Sequence, residues 1–492
     1  MQIISVLSIS FFIFFLGIGL NRINWSKIYY FSPTYFAIIL KELSQFWQIP
    51  FTISLFILIQ FFKLHIDSQE RERKLNSLNK IVLLHVPNTF NYGSSMMGIN
   101  FIYYFSSTVN KNIVYVVDLF TGEDLNRLNY ETLNKSIIKK FNIPTDIIGL
   151  KKLEKVLRII KLIIYSSKDI LSFNPIGIVI LGGDDVSEYG SIRGLIYNLY
   201  QLYRISKKSN VFLLGQTIGP FHSWRKQLAR FCLRNCQIFT RDPLSANYLK
   251  DSLKLKNVLV SSDLAFLDLP RQKDLDNAKK LLKKYEITSN DYITLIPSGL
   301  IKKYTNSYTD YLKTWIKIVN SIVELPALKS KKIVLLAHVL RPEDADDRKI
   351  INEIKNELPN EVSNRMVYIT DVLLPSEARI ILGNGIFTIT GRMHGAISTF
   401  QMLKPAISLS YSVKYKGVIS ESLGMNDLII EARSGILWSS GKIVELVMEK
   451  VEYVLRNYDE IIKRIEPAVD KNKKMAMAQI ECVAKNLEGL MK

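Results

Sequence analysis

A chain of 492 residues, 48% of them hydrophobic, has material for two or three buried cores, which excludes an intrinsically disordered protein. Its 65 Lys and Arg against 45 Asp and Glu leave a formal charge of +20, so its partners are expected to carry acidic groups, as phosphorylated metabolites and anionic lipid do. No nucleic-acid motif accompanies the charge, and the three cysteines, two of them (Cys232 and Cys236) one helical turn apart with no histidine close behind, read as reduced thiols rather than metal ligands.

In chain order, the first element is apolar. Ile3 to Leu20 is uncharged over nearly one bilayer crossing, and Phe46 to Phe62 is a second such run. The stretch "IYYFSPTYFAIIL" between them is aromatic-rich, like segments at headgroup level. No basic residue precedes the first run and no small-residue cleavage site follows it, so residues 1–66 are read as a retained membrane anchor of one or two transmembrane segments. If both runs span, Lys63, Arg71, Arg73 and Lys74 place both ends in the cytosol; if the run containing Pro50 lies flat, the topology stays open. Residues 67–79 form a polar connector.

From residue 80 to 270 strands and helices alternate, the pattern of a parallel sheet flanked by helices. "KIVLLHV" and the runs at Ile113 to Val117, Ile176 to Leu181, Val211 to Leu214 and Ile238 to Thr240 are the predicted strands. The first strand opens into "VPNTFNYGSSMMG". There Asn91, Gly93, Ser94 and Ser95 precede a helix, and the serines either cap it or touch a ligand oxygen. Leu150 to Ile164 spaces leucines on one face and lysines on the other, which suits an ordinary surface helix or one lying on an anionic membrane. The strand ending in "LGGDDVSEY" delivers Gly182, Gly183 and Asp184 to a turn where backbone can approach a sugar or phosphate; the adjacent aspartates diverge too much to suggest a metal site. "FLLGQTIGPF" offers Gln216 and Thr217 as donors from a rigid loop, and "IFTRDPLSANYL" sends a strand into Arg241 and a helix.

Alternation restarts at "YITLIPS" and defines a second α/β domain over residues 271–440, with strands at "KIVLLAHV", "MVYIT", "IFTIT" and "AISLSYS"; residues 441–492 read as helical. His338 and His394 both stand at strand ends of this domain, and the carboxylates of Glu343, Asp344 and Asp346 suit a helix start. "IFTITGRMHGAIS" echoes the Arg241 segment: a strand stops at Gly391, Arg392 and His394 follow, and a helix of small residues begins. Helix N-termini at the carboxyl ends of parallel strands hold anions, so two such lobes would line a cleft with an arginine clamp on each side.

Taken in order, "FNYGSS", "LGGDDVSEY", "GQTIGPF", "TRDPLSANYL", "SSDLAF", the His338 segment, "GRMHGAIS" and "PAISLSYSVKYKG" resemble the polysaccharide pyruvyl transferase family over about residues 80 to 435. The turn at Asp184 departs from it, since many members carry a third glycine there, and the apolar N-terminus lies outside its domain. The resemblance implies an α/β fold of two Rossmann-like lobes in a GT-B-like arrangement, preceded here by the anchor. It implies transfer of a pyruvyl group from phosphoenolpyruvate to a sugar hydroxyl pair of a cell-surface or lipid-linked glycan, forming a ketal, with no metal or cofactor. On the matching motifs Arg241 and Arg392 would hold the donor's carboxylate and phosphate, His394 would be the acid-base residue, and Tyr411 and Lys414 would complete the pocket; His338, singled out by its place at a strand end, is either a second catalytic histidine or a hydrogen-bonded structural one. Guanidinium forks suit two anionic groups, and an imidazole can exchange a proton near neutral pH. Two other readings share the fold: a glycosyltransferase using a nucleotide sugar, and a non-catalytic glycan-assembly protein. The implied setting is a membrane-anchored protein whose catalytic part faces the cytoplasm.

Overall fold

The computed structural model describes residues 79–86, 88–133, 136–139, 167–189 and 191–491. The anchor expected over residues 1–66, residues 67–78 of the connector and the basic helix expected from Leu150 to Ile164 lie outside the described residues. Among the described residues no helix is long and apolar enough to cross a membrane.

Seven strands build the first sheet: β1 (Asn79–Leu84), β2 (Ile113–Val117), β3 (Ile137–Lys139), β4 (Gly177–Leu181), β5 (Val211–Gln216), β6 (Gln237–Thr240) and β7 (Val258–Val260). Six build the second: β8 (Tyr292–Ile296), β9 (Lys332–Leu336), β10 (Met366–Ile369), β11 (Thr388–Thr390), β12 (Ala406–Ser410) and β13 (Ile429–Glu431). Their spatial orders are β3-β2-β1-β4-β5-β6-β7 and β10-β9-β8-β11-β12-β13, every pairing parallel. Each chain path starts mid-sheet, walks to one edge, then returns and walks to the other, so strand order reverses between β1 and β4 and between β8 and β11. Crevices form outside the carboxyl ends of such neighbours. All residues of β1, β4, β5, β8 and β12 are buried, and with both sheet faces covered the stretches Ile81 to Leu84, Ile178 to Leu181 and Val211 to Leu214 read as unbroken apolar runs instead of alternating ones.

The edge strands β3, β7 and β13 escape sequence reading because three residues are too few to show a period, and at β7 Leu259 and Val260 face outward. The echo between the two arginine segments is not a structural repeat. Arg241 follows β6, two places outward of β4, whereas Arg392 follows β11, which borders the switch point of its own sheet. The likeness arises from the shared requirement of a strand feeding a helix, not from equivalent positions.

Helices α1 (Tyr92–Val109), α2 (Gly122–Thr132), α3 (Ile192–Ser206), α4 (Arg225–Leu233) and α5 (Pro243–Asn247) belong to the first lobe; α6 (Tyr308–Glu324), α7 (Asp347–Glu357), α8 (Pro375–Asn384), α9 (Met393–Gln401) and α10 (Lys442–Arg456) to the second. The 30-residue α11 (Tyr458–Leu487) returns to the first lobe. There Gln479 Nε2 donates to Ser262 O (2.8 Å), Ser262 Oγ to Asn472 Oδ1 (2.7 Å), and Leu487 packs where only a glycine, Gly177, leaves room.

One face of the first sheet is covered by α3 and α4 around Ile178, Ile180, Leu199 and Leu213. Its other face joins the second sheet in a single continuous core running from Ile81 through Phe101 and Leu264 to Leu295, Ile389 and Val447. The lobes therefore meet over apolar surface. Arg379 of α8, wholly buried, crosses between them and donates to Ala265 O (2.6 Å), Leu267 O (2.9 Å) and Gln272 Oε1 (3.1 Å); burial pulls its pKa down to about 10.

Candidate active site between the strand-end loops

The loop after β1 is tied to the second lobe. Asn91 forms an antiparallel bridge with Val339, Leu340 N donates to Phe90 O (2.9 Å), and Leu373 N donates to the Tyr92 hydroxyl (2.9 Å). Asn88 Oδ1 accepts from the N–H groups of Phe90 (3.1 Å) and Asn91 (2.9 Å), which fixes the entry to α1, and no side chain caps the helix: Asn91 stands at its N-cap without a capping hydrogen bond and Ser94 is half-buried in its first turn. Gly93 of that turn lies directly against the His394 imidazole, and a Cβ there would overlap the ring. The glycine expected for a close approach thus approaches a side chain of the other lobe.

His394, one-fifth exposed, enters α9 two residues after the N-cap Arg392. Its Nε2 stands 3.3 Å from Asp263 Oδ2, within ion-pair range but not aligned for a hydrogen bond. The same oxygen accepts from Arg241 Nη1 at 3.0 Å, and Asp263 Oδ1 accepts from Ala265 N at 2.9 Å. Burial raises the pKa of Asp263, but His394 and Arg241 outweigh it and hold the carboxyl well below the usual carboxylate range. A charged carboxylate thus stands between a guanidinium of its own lobe and an imidazole of the other.

Arg241 is almost completely buried. Its Nε donates to Thr217 Oγ1 (2.8 Å) and its Nη2 reaches Gly183 O (3.4 Å). Arg392 is built in the same way: Nη2 donates to Asp347 Oδ1 (2.6 Å) and Ala345 O (2.5 Å), and Nε to Asp347 Oδ1 (3.1 Å). Asp347, fully buried as the first residue of α7, also accepts from the N–H groups of Gly299 (2.7 Å), Val339 (2.9 Å) and His338 (3.1 Å). The expected pair of open arginine clamps is corrected accordingly. Burying a guanidinium is costly unless it is paired and hydrogen-bonded, and each of these two has an aspartate. Of the guanidinium nitrogens of these two arginines, Nη1 of Arg392 alone makes no hydrogen bond among the described residues.

His338 is 1% exposed, with its ring edge-on to Tyr92 (centroids 5.5 Å) and its Nε2 without a hydrogen-bond partner. Burial, and then the nearby His394, Arg392 and Arg379, push its pKa well below the ordinary value, so it stays neutral. Gln216, expected to donate to a substrate, is fully buried and spends its amide on Leu181 O (2.6 Å) and Ile180 O (3.2 Å), closing β5 onto β4. Thr217 is likewise turned inward, accepting from Arg241. Gly182 is packed against Gly215 O, and Gly183 O accepts from Thr217 N (3.0 Å).

Across the cleft Lys414 Nζ pairs with Asp184 Oδ2 at 3.3 Å and lies 4.8 Å from the centroid of the Tyr411 ring, which itself packs on Tyr304 and Tyr415. Lys414 holds Asp184 below its ordinary pKa against the opposing effect of burial. Asp185 points elsewhere, to His85 Nδ1 (3.2 Å), and among the described residues no His, Cys, Asp and Glu cluster could hold a metal ion. Cys232 and Cys236 are free and buried, their thiols pushed up to about 11 and 12 by burial.

The structure thus gathers Gly93, Arg241 and His394 around Asp263, sets Arg392 and His338 around Asp347, and brings Asp184 to Lys414. Asp263 and Asp347 carry no role in the sequence reading. Asp263 lay within the quoted "SSDLAF", and Asp347 adjoined a run of helix-start carboxylates that the dipole already explained; neither motif says which cation a carboxylate will meet.

Comparison with known proteins agrees with this arrangement of lobes. Crystal structures of UDP-GlcNAc 2-epimerase from Neisseria meningitidis bound to UDP-GlcNAc (TM-score 0.55, 13% identity, covering 83% of this chain and 98% of that one) and of a putative UDP-N-acetylglucosamine 2-epimerase from Listeria monocytogenes (TM-score 0.53, 11% identity, 82% and 94%) share the fold. Amylovoran biosynthesis protein AmsJ of Erwinia amylovora is 24% identical over 282 residues, 56% of this chain and 65% of AmsJ, so the match spans a little under two thirds of that relative. The sequence pattern of the family described as polysaccharide pyruvyl transferase matches residues 91–413, from the bridge at Asn91 to the turn before Lys414, and with it the whole constellation of Gly93, Arg241, Asp263, Arg392 and His394. On that match the chain belongs to the polysaccharide pyruvyl transferase family.

Proposed function

We propose that the protein transfers a pyruvyl group from phosphoenolpyruvate to two hydroxyls of one sugar in a cell-surface or lipid-linked glycan, leaving a cyclic ketal and inorganic phosphate. The observation that carries the reading is the Arg241–Asp263–His394 array, assembled from both lobes inside the family's matched region. AmsJ, named for amylovoran biosynthesis, supports a role in glycan assembly.

In this scheme the donor methylene takes up a proton and becomes the methyl group. One sugar oxygen bonds to C2 and loses its proton; the second displaces phosphate with cleavage of the C2–O bond, and its proton leaves with the phosphate. His394, partly exposed and braced by Gly93 and Asp263, is the proton-transfer group. Arg241 keeps Asp263 ionised and so orients the imidazole. Arg392 through Nη1, Lys414 and Tyr411 receive the donor's anionic groups, and His338 lines the site as a neutral imidazole. No metal and no cofactor enters the scheme.

Purified full-length chain with phosphoenolpyruvate and extracted lipid-linked sugars tests it. Phosphate release together with an acid-labile pyruvate adduct is the expected result; transfer from a UDP-sugar without use of phosphoenolpyruvate would assign the protein to glycosyl transfer instead. The apolar runs Ile3 to Leu20 and Phe46 to Phe62, with the cations after them, support placing this chemistry on the cytoplasmic face of a membrane. Retention in the membrane pellet after carbonate washing, with the lobes protected from protease outside intact cells, is the corresponding expectation.

A further inference from the structure

We propose that the outer face of α3 and α4 docks against an anionic lipid surface, independently of the apolar N-terminal runs and of which reaction the cleft performs. Residues 191–209 and 221–236 contain four Lys or Arg each and no Asp or Glu. The inner faces of both helices are used up on the sheet, burying Leu195, Leu199, Leu202, Ala229 and Leu233. The outer face should then be plainly polar, yet Trp224 is 58%, Tyr200 50% and Phe231 44% exposed.

These rings are interleaved with cations. Tyr203 and Phe231 pack across the two helices at 5.0 Å, Lys207 lies over Tyr203 at 4.5 Å, Arg234 over Phe231 at 4.4 Å and Arg204 over Tyr200 at 6.0 Å. Trp224 and Phe231, seven residues apart, share one side of α4. The carboxylate of Glu188, adjoining α4, is already held by Arg225 (2.7 Å) and His222 (2.8 Å), so it does not neutralise the outer cations. Aromatic bodies with long cationic side chains beside them match the depth profile of a lipid interface, where rings sit at headgroup level and cations meet phosphates. A single-stranded nucleic acid would need open ring faces for its bases. The faces of Tyr203 and Phe231 are covered by each other and by Lys207 and Arg234, which favours lipid.

The test uses the full chain with vesicles of phosphatidylcholine, alone or with roughly one third phosphatidylglycerol. The apolar N-terminal runs contribute equally to both, whereas Lys63, Arg71, Arg73, Lys74 and the basic stretch Leu150 to Ile164 also favour the anionic vesicles, so the part of the difference that substitutions on α3 and α4 remove reports this face. Binding roughly tenfold or more tighter to the anionic vesicles, with a gap that closes at high salt, is expected. Reversing four cations (Arg204→Glu, Lys207→Glu, Arg230→Glu, Arg234→Glu) should narrow the gap several-fold and leave binding to neutral vesicles unchanged. Trp224→Ser with Phe231→Ser, which keeps every charge, should narrow it several-fold. A gap unaltered in both variants overturns the proposal, as does tighter binding of a single-stranded oligonucleotide that the same variants lose. Because a variant can fail to fold, hydrogen exchange of the unmodified chain provides a second readout: amides of α3 and α4 should slow with anionic vesicles and not with neutral ones, and unchanged exchange overturns the docking face.

Discussion

His394 and Gly93 make one unit, since the imidazole is seated by a glycine that offers no Cβ. In a helix, alanine would ordinarily be favoured over glycine by about 1 kcal/mol. Here the overlap with the ring reverses that gain, so Gly93→Ala should displace His394 and lower kcat at least tenfold while melting changes by only a few degrees; an unaltered kcat would detach the glycine from the chemistry. His394→Gln should leave donor affinity nearly intact and cut turnover by roughly a hundred- to ten-thousandfold, read from single-turnover kinetics against donor titration. The arginines behave differently. Because Arg392 is locked to Asp347, Arg392→Lys acts on the fold as well as on the donor, and Asp347→Asn should cost about 3–5 kcal/mol by leaving a buried guanidinium without its counter-charge. Denaturant unfolding of the two variants checks this, and a cost below 1 kcal/mol for Asp347→Asn would mean that the pair is dispensable.

At the scale of elements, the loops after β1, β4, β6 and β7 meet those after β9, β11 and β12, and helix starts supply much of the geometry. Asp347 collects three backbone N–H groups because it opens α7 beside the end of β9, where the helix dipole favours a negative charge. The contact between Lys414 and Asp184 joins the turn after β12 to the turn after β4, and Asp184 is one-third exposed. Lys414 is more buried than its partner, but with water reaching Asp184 the 3.3 Å pair is a modest contributor to stability. Lys414→Met is therefore expected to shift the melting temperature by only a few degrees and yet, on the proposed reaction, raise the KM for phosphoenolpyruvate tenfold or more; the reverse pattern would make this contact a structural strut.

For the whole molecule, the continuous core and the buried Arg379 join the lobes into one body, as does Glu131 of α2, whose carboxylate accepts from Ser376 Oγ of α8 at 2.5 Å. Burial pushes Glu131 up to about 7 from an ordinary 4.5. The folded carboxyl therefore holds its proton more tightly than the unfolded one, and the sign follows: stability conferred by the neutral form is complete below about pH 4.5 and lost as pH rises toward 7. Glu131→Gln keeps a hydrogen-bonding group and cannot ionise. Its stability relative to the parent should rise between those two pH values by roughly 2–3 kcal/mol, measured by denaturant unfolding at each pH. A difference that stays flat with pH would show that Glu131 is already ionised in the fold.

The alternation of buried apolar runs with helical segments determined by itself the two α/β lobes, because parallel strands covered on both faces leave an unmistakable signature, and the arginines, histidines and glycines at strand ends were legible as cleft residues. Sequence could not show that Arg241 and Arg392 would be neutralised by Asp263 and Asp347, since those partners lie 22 and 45 residues away and are chosen by which strand ends the sheet order juxtaposes. Nor could it show Gln216 turned into the sheet or Gly93 seating a histidine 301 positions onward, which exist only once the lobes share a core. Burial, set by the whole fold, decided which charges were spent on structure and which remained for a ligand.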